Sequence, residues 1–172
     1  TEDGPIWTPS AQRVAQSNLS RFMAGHRDYE SLWRWSVEQP DEFWPAVWRF
    51  CGVKSSQRWD AVMEPREGLR QVTWFPGARL NFAENLLWYR DDSAAIIACN
   101  EGGQRRELSH RDLHRAVSRM AQALRASGVA PGDRVAGYLP NISEAVIAML
   151  ATASIGAVWS SCSPDFGVAG VL

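Results

Sequence analysis

The sequence predicts an α/β chain in two parts: a helical, Trp-rich first half, then a second half that begins a layered domain with a hairpin, a helix and a βαβ unit. Two observations carry this. Seven of the nine tryptophans precede residue 80, within segments of helical spacing. From residue 93 short apolar runs of strand length alternate with amphipathic helical stretches. The division falls near residue 90, separating 1–90 from 91–172.

In the first part, Thr8-Pro9 resembles an N-cap followed by proline at the first helical position, and Val14, Asn18, Leu19, Phe22 and Met23 give an imperfect apolar face that should end near Gly25. A second helix is expected over 29–38. Pro40-Asp41 opens a third that carries Phe43, Trp44, Val47, Trp48 and Cys51 on one side and stops at Gly52. Tryptophans at this spacing read as packing groups, because each large ring buries roughly 150–250 Å². Val72-Thr73-Trp74-Phe75 reads as a short strand turned by Pro76-Gly77, and Asn81 with Glu84 has the form of a capping box opening a helix to about Tyr89.

In the second part, Ala94–Cys99 is a continuous apolar strand, Asn100-Glu101-Gly102-Gly103 a hairpin turn, and 104–108 a polar return strand. Ser109, with Asp112 three residues on, caps a helix whose stripe is Leu113, Val117, Met120, Ala121 and Leu124 and whose stop is Gly128. Pro131-Gly132-Asp133 turns into a strand over 134–139. Asn141 or Ser143 then caps a helix to about Ile155, and 157–161 is the next strand, parallel to the last.

The chain has 172 residues, 45% hydrophobic and 22% charged, with a net charge of -1, as in ordinary globular proteins. Near-neutral charge and a single lysine, Lys54, leave no basic patch for nucleic acid or an anionic membrane. The longest apolar stretch, 145–159, is 15 residues, short of the roughly 20 that span a bilayer. Thr1-Glu2-Asp3 is acidic and unlike a secretory leader, and Cys51, Cys99 and Cys162 are odd in number and far apart. A reducing cytoplasm is the expected compartment. The sequence opens without Met and stops in an apolar run at Leu172, so a piece of a longer protein is expected.

Candidate chemistry is sparse. His110 and His114 lie at i, i+4 but have no third metal ligand nearby in sequence, and arginines flank them. His26 follows a helix-ending glycine and reads as structural. The loop Ser163-Pro164-Asp165-Phe166 stands after the last strand, where open α/β sheets bind ligands. It also fits a helix start, with Ser163 as N-cap and Pro164 in the first turn. Cys162 reads as a small buried hydrophobe.

Several segments are recognisable together: Leu108-Ser109-His110-Arg111-Asp112-Leu113, Gly132-Asp133-Arg134-Val135-Ala136, and Pro140-Asn141-Ile142-Ser143-Glu144-Ala145 with Ile155-Gly156-Ala157-Val158. They resemble the opening of the large domain of the AMP-forming acyl-CoA synthetase (adenylate-forming) superfamily. Three further runs resemble its acetoacetate-activating members: Tyr29-Glu30-Ser31-Leu32-Trp33, Phe75-Pro76-Gly77-Ala78-Arg79-Leu80-Asn81, and Trp159-Ser160-Ser161-Cys162-Ser163-Pro164-Asp165-Phe166-Gly167. The resemblance implies a whole enzyme that uses ATP and magnesium to convert acetoacetate to an acyl-adenylate and then passes the acyl group to CoA. It places the catalytic residues beyond Leu172, so the 172-residue chain alone is expected to be inactive and to bind none of these cofactors. Its partner would be the remainder of its own chain. The resemblance also implies a wall of the CoA site at Ser163, Pro164, Asp165 and Phe166. Related acetyl-CoA synthetases carry Phe-Gly-Gly in the matching loop, whereas here Pro164 lacks an N–H and Asp165 repels phosphate. The rival readings are a synthetase for acetate or propionate and a Trp-rich interaction module.

Overall fold

The computed structural model describes residues 4–23, 25–64 and 72–171, so Thr1, Glu2, Asp3 and Leu172, named above, lie outside the described residues. The chain divides into two compact units, Thr1–Val53 with Trp59–Ala78 and Lys54–Arg58 with Arg79–Leu172.

Among the described residues, the first unit holds four helices and a minimal sheet. The face expected to run as one helix to Gly25 is two helices, α1 (Ala11–Ala15) and α2 (Asn18–Phe22). Each has its own serine cap: Ser10 Oγ accepts from Arg13 N–H, and Ser17 Oγ from Ser20 N–H. The second serine supplies the acceptor that a continuing helix would take from its own backbone, which splits the run. The first cap is therefore Ser10 and not Thr8. α3 (Tyr29–Glu38) and α4 (Pro40–Phe50) occupy the expected spans. Asp28 and Ser31 form a reciprocal capping box on α3, and Gly52 at φ 62° ends the α4 segment. Rings cluster inside this unit: Phe22 and Phe43 lie against Trp35, Trp48 against Trp59, and His26 stacks on Trp35 at 4.8 Å. β1 (Met63–Glu64) pairs antiparallel with β2 (Thr73–Trp74). Phe75 lies outside the strand at φ 47°, a left-handed conformation uncommon for a bulky residue, with its ring against both Trp48 and Trp59.

The second unit builds its core between two long helices. α5 (Phe82–Leu86) is capped by Asn81, whose Oδ1 accepts from Glu84 N–H, and it ends before the expected Tyr89. β3 (Ala94–Cys99) and β4 (Arg105–Ser109) form an antiparallel hairpin with Ile97 opposite Glu107. α6 (His110–Ala126) follows, its N-terminus capped by Ser109, which accepts from Asp112 N–H. β5 (Arg134–Tyr138) and β6 (Val158–Cys162) pair in parallel through α7 (Ser143–Ser154), as the βαβ reading expects. Leu113, Val117 and Ala121 of α6 meet Leu150 and Ala151 of α7, with Ala83 and Ile155, in one buried cluster. Asn81 ties α5 to this layer: its Nδ2 donates to the carbonyl of Ala153 at 2.8 Å. Thr152 is fully buried, and among the described residues its hydroxyl has no hydrogen-bond partner. The last element is α8 (Val168–Val171).

Candidate functional site

The carboxyl ends of β5 and β6 open onto a cleft of about 950 Å³. Three backbone features build it. The β3–β4 turn supplies Asn100, Glu101 and Gln104, the β5–α7 connection supplies Pro140, Asn141 and Ile142, and the loop after β6 supplies Ser163, Pro164 and Asp165. Crossover topology explains the placement: parallel strands end on the same side, and the loops that leave them face each other there.

The hairpin turn is held by its own amides. Asn100 Oδ1 accepts from Gln104 N–H at 2.9 Å, and its Nδ2 donates to Gln104 Oε1 at 3.0 Å. Across the cleft, Arg106 of β4 donates to Glu144 Oε1 at 2.9 Å. That carboxylate also takes the Ser143 hydroxyl at 3.0 Å. Neither Asn141 nor Ser143 caps α7: the N-cap is Ile142, whose aliphatic side chain has no acceptor to offer, and Ser143 is the first helical residue. Glu144 stands in. Its carboxyl is held below the usual glutamate range by its own backbone N–H, by Ser143 and by Arg106, the anion completing the positive end of the helix.

Among the residues expected at a ligand site, Ser163, Pro164 and Asp165 line the cleft. Ser163 Oγ donates to Asp165 Oδ2 at 2.8 Å and Phe166 N–H donates to the Ser163 carbonyl, so the segment is a turn. Ser163 is not a helix cap, because α8 begins only at Val168. Phe166 is exposed, and its carbonyl, with that of Pro164, meets the Tyr138 hydroxyl. Cys162 is half-buried with a free thiol. Tyr138, Arg106 and Glu144 were not singled out from the sequence. A polar ring at the end of an apolar strand and an arginine in a hairpin are common, and only the crossover shows that they share one end of the sheet.

The remaining candidates are apart from this cleft. His110 lies beside Tyr89, while burial, with a smaller effect from Arg90, pushes the His114 imidazole below its ordinary value. Among the described residues no three His, Cys, Asp or Glu side chains are grouped to hold a metal ion. The lysine ammonium of Lys54 rests over the Trp88 ring at 4.1 Å. In the first unit, Leu19, Phe22, Trp33, Phe43, Val47 and Phe50 line an apolar groove of about 420 Å³.

Residues 84–171, which contain both the α6–α7 core and the cleft, match the AMP-binding enzyme family. The chain belongs to that family. Residues 29–86 match a second family description, the acetyl-coenzyme A synthetase N-terminus. A similar chain of known structure is acetoacetyl-CoA synthetase from Streptomyces lividans, 44% identical with a TM-score of 0.86; the likeness covers 98% of this chain and 28% of that one. Acetoacetyl-CoA synthetase of Macaca fascicularis is 43% identical over 97% of this chain and 26% of its own length. Malonamoyl-CoA synthetase vrtB of Penicillium aethiopicum is 42% identical over 85% of this chain and 21% of its own length. This AMP-binding chain spans about a quarter of the length of the curated acetoacetyl-CoA synthetases it matches. No helix among the described residues is long and apolar enough to cross a membrane.

Proposed function

We propose that this chain is the N-terminal part of an ATP-dependent acetoacetate–CoA ligase. The observation that carries the reading is its 43% identity to an acetoacetyl-CoA synthetase over 97% of its length. In the proposed reaction the acetoacetate carboxylate attacks the α-phosphorus of ATP and releases pyrophosphate; the CoA thiol then attacks the acyl carbon of the adenylate and releases AMP. Magnesium and the triphosphate clamp belong, on this reading, to residues beyond Leu172. Residues 1–90 form the N-terminal region and 91–172 the start of the AMP-binding domain, in a cytoplasmic enzyme of lipid metabolism.

This chain's own contribution is a wall of the CoA site at Ser163, Pro164, Asp165 and Phe166. What supports that role is the polar lining of the cleft beside it: the Arg106 guanidinium, about two-thirds exposed though paired with Glu144, and the Asn141 amide are donors a phosphate could meet. Asp165 opposes phosphate, but its carboxylate accepts from Ser163, which directs one oxygen into the turn.

A second acid is favoured by one specific observation, the 42% identity to a malonamoyl-CoA synthetase. The test is acid-dependent exchange of labelled pyrophosphate into ATP by the full-length protein, with acetoacetate, malonamate and acetate in parallel. Exchange fastest with acetoacetate is expected. Preference for malonamate or acetate moves the substrate assignment, and no exchange with any acid overturns the ligase reading.

A further inference from the structure

We propose that Tyr138 is a positioning residue that clamps the turn at 163–166 and so sets the shape of the CoA-facing wall, an inference that rests on the reading of this turn as part of the CoA site. Tyr138 ends β5, and its hydroxyl lies 3.0 Å from the Pro164 carbonyl oxygen and 3.1 Å from that of Phe166, 26 and 28 residues on in sequence. One O–H thus donates to two carbonyls that flank Asp165. Inside the turn, the Ser163 hydroxyl donates to Asp165 Oδ2 and accepts from Asp165 N–H, bonds that close the turn on itself without tying it to β5. Tyr138 holds it against the neighbouring strand.

Packing does not account for a tyrosine here. The side chain is 57% exposed, so a phenylalanine would fill the same space, and what the phenol adds is a donor aimed at the loop. Pro164 strengthens the argument. Its ring removes an N–H that would otherwise anchor the turn and fixes one backbone angle, so orientation depends on bonds made by the flanking carbonyls. Loss of one such hydrogen bond changes an equilibrium by roughly threefold to tenfold.

The test uses the full-length enzyme and its Tyr138→Phe variant. The expected result is a KM for CoA raised about threefold to tenfold, with pyrophosphate exchange, which precedes CoA, and the KM for ATP unchanged. Amide hydrogen exchange across 163–167 should be faster in the variant without CoA, a readout independent of activity. Unchanged amide exchange in the variant overturns the clamp. Equal losses in CoA use and pyrophosphate exchange also overturn it, since they would mark a general structural defect. The CoA-wall reading is tested separately in the unaltered enzyme: if CoA fails to slow exchange at 163–167, that reading falls whatever Tyr138 does.

Discussion

A Cβ added at Gly137 would lie 2.5 Å from both Leu139 Cδ2 and Trp159 Cη2. Leu139 can change rotamer, but the indole of Trp159 reaches across from the paired strand as a rigid plate, with Cζ2 also within 2.8 Å of the new atom. Gly137→Ala in the full-length protein should therefore cost roughly 1–3 kcal/mol, with a lowered thermal midpoint. Trp159→Val in the Gly137→Ala background should recover part of that loss, and additive losses would show that the ring is not the obstacle. Nothing in the linear sequence pairs Gly137 with Trp159, because β-register brings them together only after the crossover has formed. Phe75 is a parallel case. Its β-favouring side chain extends the expected strand by one residue, yet the backbone turns to φ 47° there and the ring packs against two tryptophans. Tertiary packing overrides local propensity at both positions, so neither was legible from spacing.

At the scale of elements, spans set by periodicity and by strong stop residues were readable, as α3, α4, β3 and α6 illustrate. Caps were readable where a capping residue precedes a clearly periodic helix, and were missed at Ser10 and Ser17, where the run splits in two. Ser109 caps its helix as expected, and so does Asn81, whose Oδ1 accepts from Glu84 N–H; what spacing did not show is that its Nδ2 also donates to the carbonyl of Ala153, 72 residues away. At α7 the expected serine or asparagine cap is replaced by Glu144, which gives a pH-dependent contribution of definite sign. Its folded-state carboxyl is depressed below the ordinary 4.5. The stabilisation is therefore fully present above about pH 5 and is lost as pH falls through the folded value. Because both partners are more than half exposed, the pair with Arg106 is screened, and about 0.5 kcal/mol is a reasonable magnitude. Glu144→Gln should lower the thermal midpoint of the full-length protein at pH 7, with the gap from wild type closing below pH 4. A gap that stays constant from pH 7 to pH 3 would rule out ionisation as its source.

For the whole chain, the decisive quantity is how much apolar surface each unit leaves uncovered. The parallel pair in the second unit has two strands, so β5 and β6 each have one unpaired edge among the described residues, and Val158 on β6 is 54% exposed. Phe82 and Trp88 in the same unit are more than half exposed as well. Small sheets of this kind draw their stability from further strands or covering helices, and an open apolar edge is a template for association. Membership of the AMP-binding family, in proteins about four times as long, supplies a reason: this surface suits coverage by the rest of a larger domain. The 172-residue chain expressed alone should then bind a hydrophobic dye, self-associate at micromolar concentration and unfold over a broad range, while the full-length protein should bind little dye. Light scattering, dye fluorescence and calorimetry on the two proteins in parallel make the comparison. A monodisperse chain with a sharp calorimetric transition and no dye signal would mean that the α6–α7 core suffices by itself and that the exposed faces need no cover.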